Sequence, residues 1–162
     1  MIEINGKGIT LRTMTQKEMR ALWRKFVPEN GVFNYDEEAI DKLYELSVER
    51  EEWNPSVGIF TRTGEIIGEL TFERIVYSEK RCELSIFLAS EAYRNKGNGT
   101  EAILLAKRYA KDKLGLKRIY ADVSSNNERM CAVMKKCGFQ HTKTFAGDAH
   151  DGGDRLVYFA LL

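Results

Sequence analysis

The sequence predicts a mixed α/β protein: a central sheet of about seven strands, mostly antiparallel, with helices on both faces. Three observations carry that prediction. Residues 56–88 hold β-rich runs separated only by the short turns Arg62-Thr-Gly-Glu65 and Ser78-Glu-Lys-Arg81, the mark of an antiparallel meander. Amphipathic helical patterns occur both before and after that meander. The resulting order, β-α-α-β-β-β-α-β-α-β-β, lacks the strict alternation that builds a parallel doubly wound sheet.

Ile9–Arg12 reads as the first strand. Thr15-Gln-Lys-Glu18 has the Ser/Thr-x-x-Glu form of a capping box, so a helix follows through Phe26. Residues 36–50 form a second helix, with Ala39, Ile40, Leu43, Leu46 and Val48 as its apolar stripe. The meander strands are Ser56–Thr61, residues 66–77 and residues 82–88. In the last of these, alternation sets Leu84, Ile86 and Leu88 on one face and Glu83, Ser85 and Phe87 on the other. A helix over 100–114, a strand over 118–123 and a helix over 127–136 come next. Strands near 139–145 and Arg155–Leu161 close the chain.

A chain of 162 residues is long enough to bury one sizeable core, and a single domain over 1–162 is expected. Hydrophobic residues at 43% and charged residues at 30% are those of an ordinary soluble globular protein. A net charge of +1 provides no global field for nucleic acid or an anionic membrane, so neither is expected as a partner and any polyanion site is local. The opening MIEINGKGITL lacks the apolar core of a signal peptide, and no apolar run approaches membrane-spanning length. Cys82, Cys131 and Cys137, with only two histidines, fit neither a disulfide framework nor a zinc pattern. Free thiols, no metal and a cytoplasmic location are the expectation.

The segment Arg94-Asn95-Lys96-Gly97-Asn98-Gly99-Thr100 is the most informative stretch. It is a bare, basic loop that opens a helix. A helix N-terminus presents unsatisfied N–H groups and a partial positive charge, glycines let the backbone approach an anion closely, and Arg94 and Lys96 add cations. No Lys-Ser/Thr follows the glycines, so a Walker loop for a nucleoside triphosphate is not indicated. Gly97-Asn-Gly-Thr-Glu-Ala102 does satisfy G-x-G-x-x-A, with Asp122 near the end of the next strand. A dinucleotide fingerprint should begin a parallel βαβ unit, however, and here an antiparallel meander leads into the loop. A diphosphate that is carried and not cleaved suits the loop better.

Arg94-Asn-Lys-Gly97-Asn-Gly99 resembles the Gln/Arg-x-x-Gly-x-Gly/Ala signature of the GNAT superfamily of acyl-CoA-dependent N-acyltransferases. Val123-Ser-Ser-Asn-Asn127 followed by Cys137-Gly138-Phe139 resembles the family's V-x-x-x-N and L-G-F segments at the family's spacing. The tract YRNKGNGTEA is most similar to the branch containing ribosomal-protein and polyamine acetyltransferases. The resemblance implies a GNAT fold and acetyl-CoA as co-substrate, with its diphosphate on the amides of Arg94 to Thr100. It also implies that Phe87, Leu88 and Ala89 give main-chain bonds to the pantetheine arm, the Phe87 N–H polarising the acetyl carbonyl. Asn127 is implied as a cofactor contact; on the residues alone it equally caps the last helix, or lies inside a first turn capped by a Ser125-x-x-Glu128 box.

Amide formation from a thioester requires a neutral amine. For a lysine-like amine, deprotonation at pH 7 costs about 4.6 kcal/mol, which a carboxylate base offsets. Glu83 is the candidate base, because it stands at the offset from Gly97 that marks the glutamate base of GNAT histone acetyltransferases; Glu69, Glu73 and Asp122 are rivals, and a surface pair with Lys80 or Arg81 is the bland alternative. Many GNAT enzymes carry a proton-donating tyrosine four residues before Gly138, where this chain has Met134, a thioether that cannot donate. Tyr93 and Tyr120 are substitutes. The sequence therefore points to an acetyl-CoA-dependent N-acetyltransferase acting on a primary amine of a small-molecule or protein acceptor, and it is compatible with a homodimer. An acyl-CoA-binding module without turnover and a Rossmann-like nucleotide binder are the alternatives.

Overall fold

The computed structural model describes all residues, Met1–Leu162. In chain order the strands are β1 (Glu3–Asn5), β2 (Ile9–Arg12), β3 (Ser56–Thr61), β4 (Ile66–Val76), β5 (Arg81–Leu88), β6 (Arg118–Ser124), β7 (Gln140–Phe145) and β8 (Arg155–Leu161). The helices are α1 (Gln16–Arg24), α2 (Glu37–Glu49), α3 (Asn98–Asp112) and α4 (Glu128–Lys136). The strands form one eight-stranded sheet in the order β1-β2-β3-β4-β5-β6-β8-β7. Every neighbouring pair is antiparallel except β5 and β6. The strand beyond the expected seven is β1, three residues long and too short to show periodicity.

Local chemistry starts the helices. Thr15 and Glu18 form the expected capping box, with Glu18 N–H donating to Thr15 Oγ1 (3.3 Å) and Thr15 N–H donating to Glu18 Oε2 (2.8 Å). Arg12 also grips the Glu18 carboxylate and, with the capping bonds, holds it well below the ordinary range, down to about 2. Asp36 Oδ1 caps α2 by accepting from Glu38 and Ala39. The expected stripe on α2 does not hold: only Ile40 is buried, while Leu43, Leu46 and Val48 are exposed. The helix packs on α1, so a narrow side of it is covered.

Each sheet face carries its own core. Beneath α3 and α4 lies a cluster of 26 buried residues, including Leu70, Phe72, Leu84, Ile103, Ile119 and Met134. Beneath α1 and α2 lies a cluster of seven, including Met19, Leu22, Ile40 and Ala89. At about 25 cal/mol per Å² of apolar area, burial of these two clusters is the main force holding helices to both faces. Glu101, in the first turn of α3, accepts N–H donors from Lys7 and Gly8 and ties the β1–β2 turn to that helix. Met130, Val133, Met134 and Cys137 form the core-facing stripe of α4, as their spacing predicts. No helix is long and apolar enough to cross a membrane.

Candidate active site

The single parallel pair in the sheet is also its shortest central pairing. β5 faces β6 only at Arg81↔Arg118, Cys82↔Ile119 and Glu83↔Tyr120. Beyond that point β5 follows β4 as far as Gly68↔Leu88, while β6 follows β8 as far as Ser124↔Arg155. The sheet therefore splits into a wedge whose vertex is Glu83–Tyr120 and whose β5 edge, from Leu84 on, has no strand beside it.

Antiparallel alternation decides which main-chain groups face the wedge. Ala89 N–H donates to Ile67 C=O (2.8 Å) and Phe72 N–H donates to Pro55 C=O (3.0 Å). With Glu69 in register with Phe87, these bonds turn the main chain of Phe87 toward β4 and those of Ile86 and Leu88 toward the gap. Two expectations are corrected here. Phe87 N–H belongs to the β4 ladder, so it is not the donor aimed into the gap; its neighbours Ile86 and Leu88 are. The main chain of Ala89 is committed as well, since its N–H serves Ile67 and its C=O accepts Val27 N–H (2.7 Å). The Phe87 side chain lies against Trp23 and Phe26, with ring centroids at 5.1 and 5.3 Å. That is core packing.

At the mouth of the wedge the glycine loop enters α3. Gly97 is the N-cap at φ +81°, in the left-handed region that glycine adopts without steric cost, and no side chain caps the helix. The first helical bond is Glu101 N–H to Gly97 C=O (2.9 Å). The amides of Asn95, Lys96, Gly97, Asn98, Gly99 and Thr100 have no protein acceptor. A Cβ placed on Gly97 or Gly99 would meet nothing within 4 Å, so both glycines border open space. The loop thus offers a run of free donors at a positive helix end. Lys96 is exposed and unpaired beside it.

Arg94 is differently placed from its expected role as an anion-facing cation. Its Nη1 lies 3.2 Å from Glu29 and 3.1 Å from Glu91. Arg129 of α4 joins the same carboxylates, at 3.6 Å to Glu29 and 3.2 Å to Glu91. Sequence reasoning missed this network. It joins the loop after α1, the end of β5 and the start of α4 across the mouth, and only the topology brings those segments together. Asn127 is the α4 N-cap, its Oδ1 accepting from Met130 N–H (3.1 Å). The Ser125-x-x-Glu128 box does not form, because Ser125 Oγ instead accepts from Asp154 N–H (2.9 Å).

At the vertex, a hollow of about 720 Å³ opens on the α1–α2 face of the sheet, lined by Arg74, Val76, Arg81, Glu83, Tyr120, Asp122, Arg155 and Val157. Glu83 does pair with an arginine, but with Arg74 and not with Lys80 or Arg81. Arg74 Nε donates to Oε1 (2.9 Å) and Nη2 to Oε2, a bidentate fork. Arg74 sits at a break in the β4–β5 register with φ +48°, and its N–H is held by Asn54 Oδ1 (2.7 Å). Asp122 accepts from Arg155 Nη1 (2.6 Å). Among the rival carboxylates, Glu69 is turned toward β3, where Ser56 donates to it, and burial pushes its pKa up. Glu73 is occupied by Ser85.

Of the candidate proton donors, Tyr93 is bound to Glu65 (2.6 Å), whereas Tyr120 lines the hollow against the ring of Phe159. Met134 is buried in the larger core. Burial raises the Cys82 thiol to about 12 and also raises Cys137, so neither is a ready nucleophile. No cluster of histidine, cysteine and carboxylate side chains is placed to hold a metal ion.

A sheet split at its one parallel pair, with free amides and a glycine-opened helix at the mouth, is the arrangement of the GNAT fold. The acetyltransferase (GNAT) domain family matches residues 9–140, and the chain belongs to that family. It is 29% identical over 141 residues to the uncharacterized N-acetyltransferase YoaA of Bacillus subtilis, covering 82% of this chain and 79% of that protein. It is 25% identical over 139 residues to human alpha/beta-tubulin-N-acetyltransferase 9, covering 85% of this chain and 65% of that longer protein. RimL, a ribosomal L7/L12 alpha-N-protein acetyltransferase in complex with coenzyme A, has the same fold, with a TM-score of 0.87 at 15% identity over 99% of this chain and 98% of its own. A spermidine N-acetyltransferase SpeG chimera from Vibrio cholerae and hSSAT gives 0.83 at 20% identity over 96% of each chain.

Proposed function

We propose that this protein is an N-acetyltransferase that moves an acetyl group from acetyl-CoA directly to a primary amine. The observation that carries the reading is the run of unpartnered amides from Asn95 to Thr100 at the mouth of the β5–β6 wedge. Those donors, Lys96 and the positive end of α3 suit a diphosphate. The edge groups of Ile86 and Leu88 suit an extended arm laid along β5 as an added strand. Bound acetyl-CoA supplies the activated acyl group. That a CoA complex is known for the fold neighbour RimL supports the same ligand class here.

The chain's own residues then have separable tasks. Ile86, two residues deeper in the wedge than Leu88, presents an N–H where negative charge develops on the thioester oxygen. Glu83 at the vertex accepts the proton of the incoming ammonium, directly or through water, and Arg74 fixes the orientation of its carboxylate. The amine nitrogen bonds to the acyl carbon, the carbon–sulfur bond breaks, and the thiolate leaves. A thiol of pKa near 8.5 is a tolerable anionic leaving group, so a donor at Met134 is dispensable; Tyr120, which lines the hollow, is the hydroxyl we assign to that task.

The buried Met134 favours a second reading, an acyl-CoA-binding module without turnover. Calorimetric titration with acetyl-CoA, followed by thiol release across an amine panel, tests both. Binding with amine-dependent thiol release is the expected result. Binding alone leaves the module, and absence of binding removes both readings.

A further inference from the structure

The β4–β5 ladder breaks beside the vertex, and the break has a definite form. Glu73 faces Glu83 and Val76 faces Arg81, so Arg74 and Ile75 together stand against the single residue Cys82. Two residues against one make a β-bulge, which re-aims side chains. Ile75 and Cys82 both lie in the larger core, and Arg74 is the extra residue, its guanidinium turned onto Glu83. Arg74 has φ +48°, in the left-handed region that glycine supplies in one common class of bulge. Asn95 and Lys80 also have positive φ, but Asn is a type that tolerates it and Lys80 caps the short turn Tyr77–Glu79. Arg74 is the one inside a strand. Strain of this kind persists only where the surroundings impose it, and it gathers at functional sites.

The turn between α2 and β3 imposes it. Phe72 N–H donates to Pro55 C=O (3.0 Å) and Ile75 N–H donates to Trp53 C=O (3.2 Å). Between them, Arg74 N–H donates to the Asn54 side chain at 2.7 Å. Asn54 is itself anchored, its N–H donating to Arg50 C=O at the end of α2 (2.7 Å). Regular alternation would turn residue 74 to the core face with Phe72. The bulge instead delivers a cation to Glu83, which faces the like charge of Glu73 across the ladder, while the Ser85 hydroxyl serves Glu73 (2.8 Å). The Arg74 side chain is 65% exposed, so this ion pair adds little to stability, and a strained backbone is a poor exchange for it.

We infer that Asn54 is a positioning residue of the transfer site. It holds Arg74 in the left-handed conformation, the backbone aims the guanidinium fork, and the fork orients the Glu83 carboxylate at the hollow. The inference rests on the acetyltransferase reading and adds to it a residue that does not line the hollow.

The test uses the full chain, acetyl-CoA and the best acceptor of the amine panel. Asn54→Ala should lower kcat by about tenfold and leave KM for both substrates within about twofold. Asn54→Asp, which keeps an acceptor oxygen for the Arg74 N–H, should recover most of that loss. Arg74→Gly keeps the bulge without its strain and removes the fork. It should melt at the parent's temperature or above and lose at least as much kcat as Asn54→Ala. In that background Asn54→Ala should cost no more than about twofold further, because Asn54 acts through Arg74. Thermal melting establishes that each variant folds, and if Asn54→Ala does not, Asn54→Ser takes its place. An unchanged kcat in Asn54→Ala, or the same loss with and without Arg74, would overturn the inference while leaving the acetyltransferase reading intact. A parent chain that releases no thiol with any amine would remove that reading and the inference with it.

Discussion

Glu83 stands opposite Tyr120 in the register of β5 and β6, and no residue of β5 beyond Glu83 has a partner on β6. The carboxylate and the phenol therefore mark the floor of a gap whose mouth is the glycine loop. A ligand held at the mouth and extended along the β5 edge points its far end at this pair. That relation gives the proposed chemistry its geometry.

Gly99→Ala separates loop structure from loop function. Gly99 is in the first turn of α3 without a positive φ, and a methyl group there meets no protein atom within 4 Å. The variant should melt at the same temperature or higher, since alanine favours a helix by up to about 1 kcal/mol over glycine. Acetyl-CoA affinity measured by calorimetry should fall by about tenfold or more, because the new methyl occupies space the ligand needs. Unchanged affinity would show that the diphosphate does not lie on this turn.

Glu83→Gln keeps an oxygen for Arg74 but cannot take a proton. Turnover at saturating substrates should drop by about 10²- to 10⁴-fold, with the acetyl-CoA dissociation constant within about twofold of the parent. A rate preserved at saturation would move the base elsewhere, and Asp122, across the same hollow, would be examined next.

Lys96 and Arg94 should behave differently despite their proximity. Lys96 is free, so Lys96→Gln should weaken acetyl-CoA binding by about three- to tenfold at low salt, and by less as salt screens the charge. Arg94 is tied to Glu29 and Glu91, so Arg94→Gln should lower the melting temperature and leave the salt dependence of binding nearly as it was. Identical salt profiles for the two variants would contradict this division.

Stability should depend on acid through Glu18. Its carboxylate is held down to about 2 by Arg12 and by the Thr15 capping bonds, against an ordinary value of 4.5. A depressed carboxylate stabilises the fold fully above the unfolded value, and the contribution is lost as pH falls from about 4.5 toward 2. Melting curves between those limits should show this slope, and Arg12→Gln should flatten part of it. An unaltered slope in that variant would assign the acid sensitivity to other groups.

The sequence alone determined what depends on neighbours within a few residues. The Thr15–Glu18 box, the alternation of β5 and the glycine-opened start of α3 all rest on contacts at short sequence separation, which a linear pattern encodes directly. Motif order and spacing added the family. Tertiary structure decided everything that depends on which distant segments become neighbours. It set Arg74 onto Glu83, locked Arg94 to Glu29, committed Ala89 to Ile67 and Val27, and left the outer side of α2 exposed. It also split the sheet at β5–β6. Strand order and register fix those outcomes, and both follow from the simultaneous packing of two cores, which no short stretch of chain can specify.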